Sequence, residues 1–332
     1  MADVAIETTS MECSESKIAA VKRSGAGDAR FRLLTMTAAT VVVVVFLGMM
    51  VALTEGAWLS IRTFGATFIT SQAWNPVTEQ FGALASIYGT LVTSILAMLL
   101  AVPIGIGIAI FLTEICPRSL SRPIGIAIEL LAGIPSIVYG IWGLFIFAPF
   151  YQEHVQPWIV DAVVDIPVLQ ILFEGPPYGI GVATAAFIVS IMILPFISAV
   201  TRDVFDTVPG TLKESAYAMG CTTWEVVWHV VLPFSRAGVV GGAMLALGRA
   251  LGETMAVTFV IGNSHKIHAS LFTPGTTISA TIANEFTEAV GDIYHSALIE
   301  MGLILFFISF VVLACAQIML KILHKRAGGV TG

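Results

Sequence analysis

The chain has 332 residues, of which 57% are hydrophobic and only 11% charged. That composition excludes a soluble domain and fits a polytopic, all-α membrane protein. The formal net charge of −6 matters less than where the charges stand.

Residues 1–32 are polar and carry Lys17, Lys22, Arg23, Arg30 and Arg32, which reads as a mobile cytoplasmic tail. Leu33–Leu53 is the first span. Its apolar core is long for a signal peptide and no small-x-small cleavage site follows cleanly, so the helix is expected to stay. Glu55 to Ala83 reads as an external segment, making 33–83 one span with its outer extension. Trp58, Ile61, Phe64 and Phe68 recur there at helical spacing, which suits an interfacial stretch, and Trp58 and Trp74 suit the headgroup level.

The membrane-spanning body is expected over 84–320. Span two runs from Leu84 to Leu112, where Pro103, Gly105 and Gly107 predict a kink or close packing. A short loop with Arg118 and Arg122 leads to span three, Ile124–Phe147, with Glu129 near its inner end and then Gly133 and Pro135. An outer loop holding Glu153, Asp161, Asp165 and Glu174 precedes span four, Tyr178–Val200. Residues 201–236 form a cytoplasmic segment, and span five is Ala237–Gly262. After an outer segment, Asn263–His295, span six covers Ala297–Leu320, and 321–332 is a second cytoplasmic tail. Thirteen of the sixteen Lys and Arg residues then fall on one side, which fixes both termini in the cytoplasm. The pattern shows neither an internal repeat nor a second folded domain. The cysteines, Cys13, Cys116, Cys221 and Cys315, fall on the cytoplasmic side or in the inner half of the last span, and no disulfide is expected.

Span five carries Arg249 and Glu253 in its middle. From Gly238 to Arg249 the rise is about 16 Å, which sets the guanidinium near the midplane of a core of about 30 Å. Charge at that depth faces a partner or a water-filled path. At a separation of four the two residues share one helix face. Gly238 with Gly242, and Gly248 with Gly252, have the spacing that lets another helix approach closely. Arg249 offers a planar fork of donors suited to an oxyanion, and Glu253 is placed to neutralise it when no ion is bound. The plainer reading is a structural ion pair. Glu129 reads either as a residue of the cavity mouth or as a hydrogen-bonded helix-end carboxylate. Thr90, Thr93 and Ser94 offer hydroxyls to an anion, although such groups usually bond back to their own helix.

The inner segment TLKESAYAMGCTTWEVVWHVVLP, from Thr211, predicts two short helices around a turn. Thr211 with Glu214, and Thr222 with Glu225, have capping-box spacing. Gly220 stands where a glycine closes the first helix, and Pro233 limits the second. Ala216, Tyr217 and Ala218 give the turn a small apolar surface for a groove on a soluble partner. This stretch, with Glu214, Ala216, Gly220, Leu232 and Pro233, resembles the EAA loop of ABC importer permeases, Ser215 replacing the first Ala. None of the six lysines follows a glycine, so the chain lacks the GxxxxGK[ST] phosphate loop.

The stretches YGTLVTS from Tyr88, IELLAGIPSIVYGIWGLFIFAP from Ile128, KESAYAMGCTTWEVVW from Lys213 and GRALGETMAVTFVIGN from Gly248 resemble the C-type permease subunits of phosphate importers. The resemblance covers about 84–320. It implies a type I ABC importer permease of six spans in the bacterial inner membrane. The partners it implies are a second permease subunit, an ATPase dimer, an external phosphate-binding protein and membrane lipid, with no nucleic acid. ATP and Mg would sit on the ATPase, leaving this chain without a cofactor or a bond-making role. Arg249 and Glu253 match charged residues tied to phosphate passage in that family. Another oxyanion such as sulfate or molybdate, a secondary transporter or channel, and a membrane signalling or scaffold subunit remain as alternatives. Asn284 and Glu285 suggest an outer helix that meets the binding protein. His265 and His268 are too few for a metal site.

Overall fold

The computed structural model describes residues 2–328, with the side chains of 2–27, 118, 168 and 323–328 outside that description. The chain forms two units, Met1–Glu55 and Gly56–Gly332. Helix α1, Ala2–Phe64, begins in the first and ends in the second. The first unit is this helix alone. Its apolar run is exposed on all sides, Val41 to Val45 included, as a helix meant for lipid requires. Lys17, Lys22, Arg23 and Cys13, placed in the tail by sequence, lie outside the described side chains.

The second unit is helical throughout its larger elements. These are α2 (Leu84–Ile115), α3 (Arg118–Ala132), α4 (Ser136–Val163), α5 (Val182–Asp206), α6 (Gly210–Ala218), α7 (Thr223–Leu251), α8 (Met255–Val260), α9 (Ile278–Glu285) and α10 (Asp292–Gly328). Five helices are long and apolar enough to cross a membrane, and α3 with α4, bent by 86°, makes a sixth broken span. The six expected crossings are therefore present, two of them discontinuous.

Helix α5 is the most enclosed of the candidate spans and packs along α2 and across α7. The close approach follows from small residues every fourth position on α2: Gly89, Thr93, Ala97, Ala101, Gly105 and Ala109 are all buried. A Cβ on Gly105 would lie 2.7 Å from Ile197 Cγ2 of α5. The same device joins α7 to α5, where Cβ atoms on Gly238 and Gly242 would meet Val204 Cγ1 at 2.5 Å and Val200 Cγ1 at 2.7 Å. In an apolar solvent such packing stands in for the hydrophobic effect. The second expected glycine pair behaves differently. Gly248 meets Leu313 at ordinary contact distance, and Gly252 ends α7.

Three clusters fill the bundle. A central one joins Ala97, Ile188, Ile193, Ala246, Val257 and Val260. One lies at the end bearing α9, around Phe68, Phe81, Tyr294 and Met301. The third lies at the basic end, around Ala109, Phe205, Ala216, Val226 and Val231. Two external segments differ from expectation. Helix α1 runs unbroken to Phe64; Phe68 is fully buried in the core, while Trp58 stays 49% exposed. The acidic loop after span three begins as helix, since α4 continues to Val163 through two π-helical turns, Gly143–Phe147 and Tyr151–Val155.

Candidate functional site: two broken helices face to face

The break between α3 and α4 falls at Gly133, Ile134 and Pro135. Pro135 has no N–H and disfavours helical backbone in the residue before it, so the helix stops there. Tyr139, one turn into α4, turns its hydroxyl back and donates to the Leu131 carbonyl at 2.8 Å. The same carbonyl accepts from the Ile134 N–H at 3.3 Å, so the bend keeps it bonded inside the chain, as apolar surroundings demand.

The second break interrupts the span that sequence reads as one helix from Ala237 to Gly262. Helix α7 stops at Leu251 and α8 starts at Met255. The physical reason is local. Gly252 closes α7, and the Glu253 carboxylate accepts from the Ala256 N–H at 3.3 Å, capping α8 in place of helix continuation. Thr254 Oγ1 donates to the Gly252 carbonyl at 3.2 Å. Arg249 and Glu253 therefore do not share one helix face, and among the described residues no ion pair joins them. Arg249 stands in the last turn of α7, where the helix dipole favours a cation, and it is exposed on this unit. Glu253 is half-buried. The two discontinuous elements meet, since Gly140 of α4 leaves room for α8: a Cβ there would lie 3.1 Å from Ala256 Cα.

The structure places the other expected path residues elsewhere. Thr90 is 2% exposed; its hydroxyl donates to the Ser86 carbonyl at 2.7 Å and accepts from the Ile278 N–H at 2.9 Å. Its hydroxyl thereby caps the start of α9. Thr93 is equally buried, with no partner for Oγ1 among the described residues. Ser94 bonds back to the Thr90 carbonyl. Glu129 pairs with Arg202 of α5 at 2.5 Å, both partly exposed. That is the plainer of its two readings, although the pair does line a cleft of about 460 Å³ with Arg122 and Asp206. Arg202 reaches Glu129 across Gly125, which has no side chain to block it.

The hairpin at the basic end is α6 and the start of α7. Gly220, at φ +89°, closes α6 with the paired bonds of a Schellman turn, Gly220 N–H to Tyr217 O and Cys221 N–H to Ala216 O. The Thr222–Glu225 capping box is present. The Thr211–Glu214 box is not, because α6 already starts at Gly210 and puts Thr211 inside the helix. Pro233 does not end the second helix. A π-helical turn, Val227–Val231, lets the Leu232 N–H reach back to Val227 O, so Leu232 and Pro233 enter the span within one continuous helix. Ala216 turns inward against the chain's own core, being small enough to fit against Ala109 and Phe205. Glu214, Tyr217 and Met219 are among the exposed residues, Met219 at 79%.

Glu285 also turns inward. Trp74 Nε1 and Tyr294 OH donate to Oε2 at 2.5 and 2.7 Å, and His265 Nε2 lies 3.1 Å from Oε1. The Trp74 and His265 rings stack at 5.0 Å. Burial pushes the carboxyl up, but the bonds from His265, Tyr294 and Trp74 outweigh it and hold the acid below its usual range. The cluster ties the two outer segments, Glu55–Ala83 and Asn263–His295, together, which sequence spacing did not reveal. Cys116, Cys221 and Cys315 are free thiols.

A bundle of apolar helices, two of them broken and packed against each other, with a capped hairpin projecting at its basic end, defines an integral-membrane permease. Residues 101–329 match the binding-protein-dependent transport system inner membrane component family. The chain belongs to that family and, within it, to the phosphate transport system permease proteins PstC. It is 63% identical to that protein of Mesorhizobium japonicum, over 94% of this chain and 96% of the relative. It is 55% identical to that of Pasteurella multocida, over 90% and 93%. Among solved structures, a chain of a bacterial alginate ABC transporter in complex with alginate pentasaccharide-bound periplasmic protein shares the fold. Its TM-score is 0.58 at 18% identity, over 88% of this chain and 95% of that one.

Proposed function

We propose that this chain is one of two permease subunits of an ATP-driven phosphate importer in the bacterial inner membrane, its basic end in the cytoplasm. The observation that carries the reading is near full-length identity to phosphate permeases, 63% over 94% of the chain. The local chemistry supports it. Arg249 is a forked cation on an exposed face beside a helix break, where an oxyanion would find donors without a competing carboxylate pair. Phosphate delivered by an external binding protein passes between the two subunits near this break. A separate ATPase dimer, holding ATP and Mg, engages the exposed face of α6 with Tyr217 and Met219. This chain makes and breaks no bonds and needs no cofactor of its own.

The test is uptake of labelled phosphate by the reconstituted complex. Wild-type vesicles should accumulate phosphate only with ATP, and excess sulfate should not compete. Arg249→Gln should abolish uptake while the complex still assembles. Normal uptake by that variant, or uptake that persists without ATP on an ion gradient, would refute the reading.

A further inference from the structure

We propose that the Lys213–Glu114 ion pair is the positioning link that carries motion of α6 into the bundle. The inference rests on α6 being the ATPase-facing helix. Of its nine residues only Lys213 and Ala216 are not exposed, and three apart they share the face turned to the bundle. Ala216 contributes one methyl to the apolar cluster, a contact without direction. Lys213 contributes a directed one: Nζ lies 2.6 Å from Glu114 Oε1, whose side chain is only 6% exposed.

Glu114 sits in the π-helical last turn of α2, Phe111–Ile115. The pair borders a cleft of about 440 Å³ with Cys116, Ser121, Arg202 and Asp206, so the two elements meet across space that leaves room for movement. A desolvated ion pair resists separation more than an exposed one, because neither partner recovers full hydration when pulled apart. Among the described residues it is the directed side-chain contact between α6 and the bundle, suited to transmit tension as well as compression.

At its other end α2 is fixed to the segment that follows α8. The Ile278 N–H bonds to Thr90 Oγ1, and the Thr276 carbonyl rests on Gly89. That segment is tied back to α8, since Gly275 N–H donates to Ile261 O at 3.0 Å. The other leg of the hairpin enters α7 directly. Displacement of α6 thus reaches the α7–α8 break from both sides, covalently through α7 and through Glu114 along α2.

The test measures phosphate uptake and ATP hydrolysis together in the reconstituted complex, for wild type, Glu114→Gln, Lys213→Met and the charge swap Glu114→Lys with Lys213→Glu. Each single variant should hydrolyse ATP within about twofold of wild type, while phosphate moved per ATP falls about tenfold, in the range of allosteric coupling terms. The swap should restore much of that ratio. Single variants with a wild-type ratio would overturn the proposal, as would a swap that binds the ATPase yet stays uncoupled. Should the single variants fail to assemble, the swap alone decides on the same criterion. Wild-type complexes that move no phosphate would sink the substrate reading instead.

Discussion

Three glycines of α2 offer a graded test of the packing. Gly89 lies beneath the Thr276 carbonyl, and a Cβ there would overlap the oxygen. That carbonyl belongs to a segment held at many points. Leu271 and Thr273 carbonyls accept from the Ala183 and Val182 N–H groups that open α5, at 2.9 and 3.4 Å, and Gly275 donates to Ile261. Gly89→Ala must therefore move backbone and not a side-chain tip. Losing two such bonds costs about 1 kcal/mol each, and overpacking adds about 1–3 kcal/mol, for roughly 3–5 kcal/mol. At Gly105 the new methyl meets only the branch of Ile197, at 2.7 Å, and about 1–2 kcal/mol is expected. At Gly107 nothing lies within 4 Å, and Ala should be neutral or slightly stabilising. Thermal unfolding of the purified complex, followed by intrinsic fluorescence, should show a Tm drop of about 6–10 °C for Gly89→Ala and none for Gly107→Ala. Equal shifts at Gly89 and Gly107 would refute the packing argument.

Tyr139→Phe removes one of the donors on the Leu131 carbonyl of the α3–α4 bend, which keeps the Ile134 N–H at 3.3 Å, so a cost of about 0.5–1.5 kcal/mol is expected; an unchanged Tm would mean that the hydroxyl does not hold the bend. Glu285→Gln should cost about 2 kcal/mol at neutral pH, because three donors converge on a charged acceptor. The carboxyl is lowered from 4.5 in the folded state, so its stabilisation is present above that value and is lost as pH falls through the lower one. The Tm gap between wild type and variant should therefore narrow as pH falls below 4.5, and a gap that stays constant on that descent would count against the carboxylate.

The spans and the hairpin were legible because length, apolar content and glycine spacing follow directly from the thickness and dryness of a bilayer. The Gly220 closure and the Thr222–Glu225 cap were legible for the same kind of reason, each being a local bond within a few residues. The helix break at Gly252 was not, although GET carries the signal: a glycine followed by a carboxylate that caps what comes next. Read as periodicity alone, Arg249 and Glu253 fall on one face; read as capping, Glu253 starts a new helix. The roles of Thr90, Ala216 and Glu285 depend on partners 188, 107 and 211 positions away, Ile278, Ala109 and Trp74, and no local pattern encodes those meetings. Lys213 shows the same limit. Its charge counted toward orientation, while its partner Glu114 lay unmarked at the end of a span.

The break also changes the energetics of the Arg249 charge. A guanidinium at the centre of an unbroken helix costs about 2.5–3.5 kcal/mol on insertion scales. Ending α7 just past Arg249 exposes the last carbonyls of that helix to the cation, which returns about 0.3–2 kcal/mol. Glu253, occupied by the Ala256 N–H, is not the neutralising partner that periodicity suggested. The remainder, on the order of 1–3 kcal/mol, has to come from across the exposed face, from water, the second subunit or a passing anion. That size suits transport. An anion gaining about 1–3 kcal/mol binds about 5–150-fold better than without the contact and still leaves, whereas a fully unpaired buried guanidinium would hold it more tightly.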